Sequence, residues 1–208
     1  MRTLAIETAS EACSIALFEG EERIAHDHRL IGRGHAEALV PMIAALPAKG
    51  RADRILVSLG PGSFTGVRIG LATARALGFA WGAEVLGFPT LALIAAQALA
   101  ERPGSRGVTV CTNGGHGEWF VAEFGPDGLP VGEAASLTPE AARARPHAAL
   151  LAGSRAALLA EGSAAEAVEI VPDAGAVTLL APTLLTPALA PIYGRGPDAT
   201  PMKLRGPA

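Results

Sequence analysis

The chain has 208 residues, half of them apolar, with a formal net charge of −3 and few aromatic side chains. That length makes one ordinary domain or two small lobes sharing a core, and the acidic balance excludes a protein that grips nucleic acid by itself through a basic face. Cys13 and Cys111 are isolated; without a C-x-x-C pair or a ligand-spaced His they imply neither a disulfide framework nor a zinc site, only small buried hydrophobes in a reducing compartment.

The N-terminal run Met-Arg-Thr-Leu-Ala-Ile-Glu-Thr reads as a strand and lacks the apolar core of a signal peptide. Residues 3–8 and 12–19 are β-like runs joined by Ala9-Ser10-Glu11, and 22–28 form a third after a turn at Glu19-Gly20-Glu21. His35 to Leu46 places Leu39, Met42 or Ile43, and Leu46 on one helical face, with a kink expected at Pro41. Ile55–Leu59 is a continuous apolar run, as in a central strand buried on both faces. A glycine-rich loop follows, then a helix to about Trp81, a strand at Glu84–Phe88 and a helix over Thr90–Glu101.

The pattern restarts after Arg102-Pro-Gly-Ser-Arg106. Gly107–Thr112 and Glu118–Phe124 read as strands, Asp127-Gly128 as a hairpin turn and Leu129–Ala134 as a third strand. A helix at Pro139–Arg143, a strand at Ala149–Ala152, a helix at Arg155–Glu161, a strand at Val168–Val171 and a final helical stretch follow. The unit βββαβα therefore occurs twice, at a period near one hundred residues, which predicts an α/β protein of two duplicated actin-like (ribonuclease H-like) lobes, residues 1–101 and 102–208. The longest uncharged stretch, Ala174 to Gly194, carries Pro182, Pro187 and Pro191, too many breakers for a membrane span. The expectation is a soluble, cytoplasmic protein.

The loop Gly60-Pro-Gly-Ser-Phe-Thr-Gly-Val-Arg-Ile-Gly70 stands where a strand hands over to a helix. Gly60 and Gly62 would let the backbone approach a ligand, with Ser63 or Thr65 capping the helix and its N–H groups facing an anion. The spacing matches neither the P-loop, which needs a lysine after its second glycine, nor G-x-G-x-x-G. A plain tight turn before a capped helix is the alternative. In the helix, Gly66, Gly70, Ala74 and Gly78 recur every four residues as a nearly side-chain-free stripe. Three glycines each cost a helix interior about 1 kcal/mol against alanine, so the stripe marks a close approach of another backbone. Val67, Leu71 and Ala72 with Arg75 offer an adjacent sheet-facing strip. The small stripe is therefore left for another helix, either Glu37–Leu46 of the same chain or one from a second subunit; with Arg68, Leu39 and Ile43 it makes the candidate partner interface. An apolar stripe without a partner also points to a homodimer.

Candidate catalytic groups are few. Glu7, Thr8 and Ser10 stand at the first hairpin turn, which faces the inter-lobe cleft in this fold class; Glu7 is read either as a holder of a metal–nucleotide complex or as a strand-end acid at solvent. With Gly60, Gly62, Ser63 and Thr65, Glu7 and Thr8 make the candidate anion or nucleotide contact. His26 and His28 share a strand face and read as solvated histidines. His35 has Leu39 at i+4, so the metal-binding H-x-x-x-H and H-E-x-x-H pairs are missing. His116 and His147 lie in loops, and no G-x-S-x-G elbow or Cys–His pair stands out. The expectation is no catalytic constellation, no metal site and no cofactor of its own.

Four segments together resemble a known family: Leu4-Ala-Ile-Glu-Thr-Ala-Ser10, His35 with Leu39-Val-Pro41, the loop Gly60–Gly70, and Gly87-Phe-Pro-Thr-Leu91. They are similar to the TsaB (YeaZ) family, closely over residues 3–100. Beyond, Gly117-Glu118, Ala122-Glu123-Phe124, Pro191-Ile-Tyr193-Gly-Arg195 and Pro197-Asp-Ala199 carry a weaker likeness. The resemblance implies an actin-like fold and a non-catalytic subunit of the bacterial machinery that puts threonylcarbamoyl on the adenosine beside the anticodon of tRNAs. Its catalytic paralogue, TsaD, binds the metal, threonylcarbamoyl-adenylate and tRNA, and pairs with TsaB through helices of the N-terminal lobe; an ATPase, TsaE, joins them. On this reading tRNA is met only through the complex, and ATP or ADP belongs at the complex interface. Glu7 replaces the family's usual Asp, Asn113-Gly-Gly115 replaces Asp-Ala-Arg, and the segment 136–190 is short; the first two changes weaken the case for independent nucleotide binding. An ATP-binding or ATP-hydrolysing actin-like enzyme is the alternative function, and a metallopeptidase finds no support in these residues.

Overall fold

A computed structural model describes residues 1–194; Arg195 and the Pro197–Ala199 resemblance lie outside the described residues. The first half runs β1 (Arg2–Glu7), β2 (Ala12–Glu19), β3 (Glu22–Leu30), α1 (His35–Ala45), β4 (Arg54–Ser58), α2 (Phe64–Trp81), β5 (Glu84–Phe88) and α3 (Thr90–Glu101). The second runs β6 (Val108–Gly115), β7 (Glu118–Phe124), β8 (Ala135–Leu137), α4 (Pro139–Arg143), β9 (Leu150–Ala152), α5 (Ala156–Ala160) and β10 (Glu166–Val168). Each half makes a five-stranded sheet, ordered β3-β2-β1-β4-β5 and β10-β9-β6-β7-β8. In both, the first three strands are antiparallel and the last two join parallel beside the first. The two sheets thus repeat one topology, a duplicated βββαβαβ unit of the actin-like fold, one strand longer than the expected βββαβα.

The strand sequences are apolar at both parities because both faces of each sheet are covered. In β1, Leu4 and Ile6 enter a core with α1 and α2, while Ala5 points into a second core that also holds α3 and sheet two. In β6, Val108 and Val110 join that central core, and Cys111 turns to a third one under α4 and α5. Helix α3, Thr-Leu-Ala-Leu-Ile-Ala-Ala-Gln-Ala-Leu-Ala-Glu, is buried nearly all round because it lies between the two sheets. Layers therefore stack as helices, sheet, α3, sheet, helices.

Four expectations shift. Leu129–Ala134 is not the third strand of the second sheet; β8 comes at Ala135–Leu137. Pro130 has no N–H to donate, and the segment keeps only the isolated bridge Phe124–Pro130 and the Val131 N–H bond to the Glu123 carbonyl. The last strand is Glu166–Val168, paired parallel with β9, rather than 168–171, where Pro172 follows. The final helical stretch is two short 3-10 turns, Ala174–Leu179 and Pro182–Leu184. Helix α1 runs unbroken through Pro41, on its exposed side. None of the helices among the described residues is long and apolar enough to cross a membrane.

Candidate functional site

The glycine loop is built around the first hairpin turn. Ser63 N–H donates to the Ala9 carbonyl at 2.6 Å, Thr8 Oγ1 donates to the Gly66 carbonyl at 2.8 Å, and Ser63 Oγ caps α2 by accepting from Gly66 N–H at 3.2 Å. A Cβ at Gly62 would strike the Ala9 carbonyl and one at Gly66 the Thr8 carbonyl. These glycines are therefore needed for backbone to pass backbone within the chain.

The same holds along the stripe. A Cβ at Gly70 would meet Thr8 Oγ1, and one at Gly78 would meet Val85; Ala74 is fully buried. The expectation that Gly66, Gly70, Ala74 and Gly78 face a second subunit is overturned: they lie on the protein's own sheet, against the Thr8 carbonyl and hydroxyl and the Val57 and Val85 side chains. Leu39 and Ile43 are likewise buried in the core beneath α1. Val67 and Leu71 share the buried face, whereas Ala72 and Arg75 point outward. Helical periodicity identified the stripe but not the side of the helix that the sheet takes. Arg68 does reach the surface, where its Nη2 donates to Tyr193 Oη at 2.7 Å and its guanidinium lies 3.2 Å from the Phe64 ring centre.

The outer side of α1 and α2 carries apolar residues beside the charged Glu37, Arg68 and Arg75. Ala72, Ala76 and Ala80 are exposed on α2, Phe79 is 94 % exposed and Val40 of α1 is 57 % exposed. A phenylalanine almost wholly in water among alanines is not explained by this chain's own packing. Sequence reasoning missed this face, although Phe79 follows Ala72 and Ala76 at helical spacing.

A cleft of about 970 Å³ opens between the two lobes. Its walls are the hairpin turn Ala9–Glu11, the start of α2 from Gly62 to Arg68, the second hairpin turn Asn113–His116 with Phe120, and the strap Pro191–Gly194. The strap is held by Ile192 N–H, which donates to the Leu59 carbonyl at 2.7 Å, and by Tyr193 beside Phe64 and Arg68. Gly194 lies where a Cβ would run into the Phe120 ring. The Asn113 side-chain carbonyl closes its own turn on Gly115 N–H at 3.1 Å.

Of the six residues expected to touch an anion or nucleotide, only Gly62 and Ser63 line this cleft. Gly60 lies beneath the strap, Thr8 is buried with its hydroxyl engaged, and Thr65 faces solvent. Glu7 is neither at solvent nor on the wall. It is 0 % exposed, accepts from the Ala9 N–H and, at 3.4 Å, from Thr90 Oγ1. Burial pushes its carboxyl up to about 7, against the opposing pull of those hydrogen bonds. The wall's carboxylate is Glu11 and its cation Arg68, already paired with Tyr193. Such a cleft suits a ligand with a ring and a polar edge rather than a proton-transfer reaction, for which no acid–base pair is assembled on it among the described residues.

His35 is buried, with Nε2 3.0 Å from the Ala12 carbonyl. His116 borders the cleft on a positive φ. Both cysteines are buried thiols, with burial raising Cys13 to about 11 and Cys111 to about 12. His26 is exposed, as the solvated reading expects, and His28 is half-buried; Asp173, far away in sequence, closes on both.

Residues 28–172 match the family described as TsaD, tRNA N6-adenosine threonylcarbamoyltransferase. The Escherichia coli tRNA threonylcarbamoyladenosine biosynthesis protein TsaB is 38 % identical over 151 residues, 67 % of this chain and 64 % of that protein. The Haemophilus influenzae protein of the same name is 40 % identical over 105 residues, 47 % of this chain and 43 % of its own. The matches thus span less than two thirds of these relatives' own length. A crystal structure of a Pseudomonas aeruginosa protein, described as similar to the peptidase YeaZ, superposes with a TM-score of 0.78 at 28 % identity, covering 93 % of this chain and 99 % of that one.

Proposed function

The chain belongs to the family of TsaD-type threonylcarbamoyltransferases and within it to the TsaB (YeaZ) branch, and from that premise we propose that it serves tRNA threonylcarbamoyladenosine biosynthesis as a non-catalytic subunit. It acts by docking onto a catalytic, TsaD-like paralogue, with a TsaE-like ATPase joining the pair and tRNA met through the assembly. The observation that carries this reading is the outer face of α1 and α2, with Phe79 standing almost wholly in water among Ala72, Ala76 and Ala80. An apolar helix face of this kind gains most by being covered, at about 25 cal/mol per Å² of apolar surface removed from water. The cleft supports the non-catalytic part: Glu7 is sealed behind the hairpin turn and Arg68 is held by Tyr193. Reconstitution is the test. Purified TsaD-like and TsaE-like partners with threonylcarbamoyl-adenylate and tRNA should form the modified adenosine only when this chain is added; formation at the same rate without it contradicts the proposal.

The cleft favours a second reading, a nucleotide at the lobe interface, because Gly62 and Ser63 at the start of α2 line it together with Phe120 and Asn113. Calorimetry with Mg·ATP on the isolated chain separates the two: tight binding with turnover supports the ATP-hydrolysing alternative, and no heat supports the accessory role.

A further inference from the structure

His26 and His28 lie two apart on the edge strand β3, opposite Ala16 and Ser14 of β2, so all four side chains leave the sheet on one face. That face is crossed by the 3-10 turn Ala174–Leu179. Asp173, just before the turn, brings one carboxylate oxygen to both rings: Oδ1 is 2.6 Å from His26 Nε2 and 3.8 Å from His28 Nδ1. One donor atom from each of the three residues lies within 4.8 Å of the others.

The surroundings hold the carboxylate in place. Oδ1 also accepts from Ser14 Oγ at 2.9 Å and from Gly175 N–H at 2.7 Å, and the Asp173 N–H donates to Gln97 Oε1 at 3.1 Å. Burial alone would raise the Asp173 carboxyl, but the Gly175 N–H, the His26 ring and the Ser14 hydroxyl outweigh it and keep it below its ordinary value. A Cβ at Gly175 would lie 3.1 Å from the His26 ring and push aside the Arg23 guanidinium, which donates to the Gly175 carbonyl. Against this order one group stands out. His28 Nδ1 is buried and makes no hydrogen bond, and a polar atom withdrawn from water with nothing to bond is destabilising.

We propose that His26, His28 and Asp173 bind one divalent transition-metal ion of the zinc class, with water completing the coordination. Two imidazole nitrogens and one carboxylate are a donor set that suits such ions, and three protein ligands with an open fourth position are a common zinc arrangement. A tetrahedral ion with bonds of about 2.1 Å holds its ligand atoms roughly 3.4 Å apart. The 2.6 and 3.8 Å separations bracket that spacing, and changes of about 0.8 and 0.4 Å bring them to it. The ion takes the place of the proton between His26 Nε2 and Asp173, and it gives His28 Nδ1 the partner it lacks. It also ties β3 to a segment some 147 residues away, independently of the partner surface on α1 and α2.

Cobalt(II) serves as the probe. The full chain, stripped with chelator and titrated with Co²⁺ near neutral pH, should develop the visible absorption of a four-coordinate ion at one equivalent, and Zn²⁺ should displace it. Because His28 Nδ1 has no partner to lose, His28→Gln should not lower the metal-free unfolding midpoint while weakening Co²⁺ binding by at least about tenfold. Asp173→Asn should weaken it likewise. No saturable band in the wild-type chain, or the same affinity in both variants, overturns the proposal.

Discussion

Glu7 shows how far a residue's surroundings can change what its sequence position implies. At the end of β1 it reads as an acid at a cleft, yet it is sealed behind the hairpin turn with its carboxyl pushed from an ordinary 4.5 to about 7. Between those values the folded chain binds more protons than the unfolded one, so stability is full below about pH 4.5 and falls as pH rises towards 7. The loss is on the order of 3 kcal/mol, at about 1.4 kcal/mol per pH unit. Urea midpoints at pH 5 and pH 8 should therefore fall further for the wild type than for Glu7→Gln, and equal falls in both proteins would contradict this account of the carboxyl. The glycines give a second prediction at the same scale. Gly66→Ala gains about 1 kcal/mol of helix propensity, but its Cβ meets the Thr8 carbonyl, and forcing rigid backbone apart costs typically 1–3 kcal/mol. Denaturant unfolding should show a net loss of stability, while a net gain would mean that α2 stands further off the hairpin turn than described.

Elements were legible wherever their own sequence decides them. The continuous apolar run Ile55–Leu59 reads as a strand covered on both sides, and its residues are buried as β4 and the position after it; the strand over Glu84–Phe88 and the helix over Thr90–Glu101 also fall where the sequence puts them. Leu129–Ala134 misleads because Pro130 and Gly132 cannot sustain the ladder that its apolar residues invite. Helix α2 misleads differently. Its period places Gly66, Gly70, Ala74 and Gly78 on one face, and nothing local says that Thr8, Val57 and Val85 approach closely enough to claim that face. Under the proposed function, the docking surface lies round the helix instead, at Ala72, Ala76 and Phe79. The strap and the His26–His28–Asp173 cluster could not be read at all, since each joins positions more than a hundred residues apart. Their contacts exist only once both sheets are stacked.

The stack itself makes a prediction for the whole molecule. Because α3 is packed by both sheets through one continuous core, the lobes should unfold together. Trp81 lies beside the core under α1 and α2, and Trp119 belongs to the core under α4 and α5. Fluorescence of Trp119→Phe and Trp81→Phe should therefore report coincident urea midpoints, whereas separate midpoints would make the lobes independent folding units. The central claim concerns the face this stack leaves uncovered. Phe79→Glu changes a side chain that is 94 % exposed, so the folded chain should keep its stability to within about 0.5 kcal/mol. The most direct measurement is the affinity of wild type and Phe79→Glu for a TsaD-like threonylcarbamoyltransferase by sedimentation or calorimetry. Binding by the wild type and at least about a hundredfold loss in the variant, the scale of a hot-spot side chain, is the result this account predicts; equal affinity of the two, or no binding by either, would contradict it.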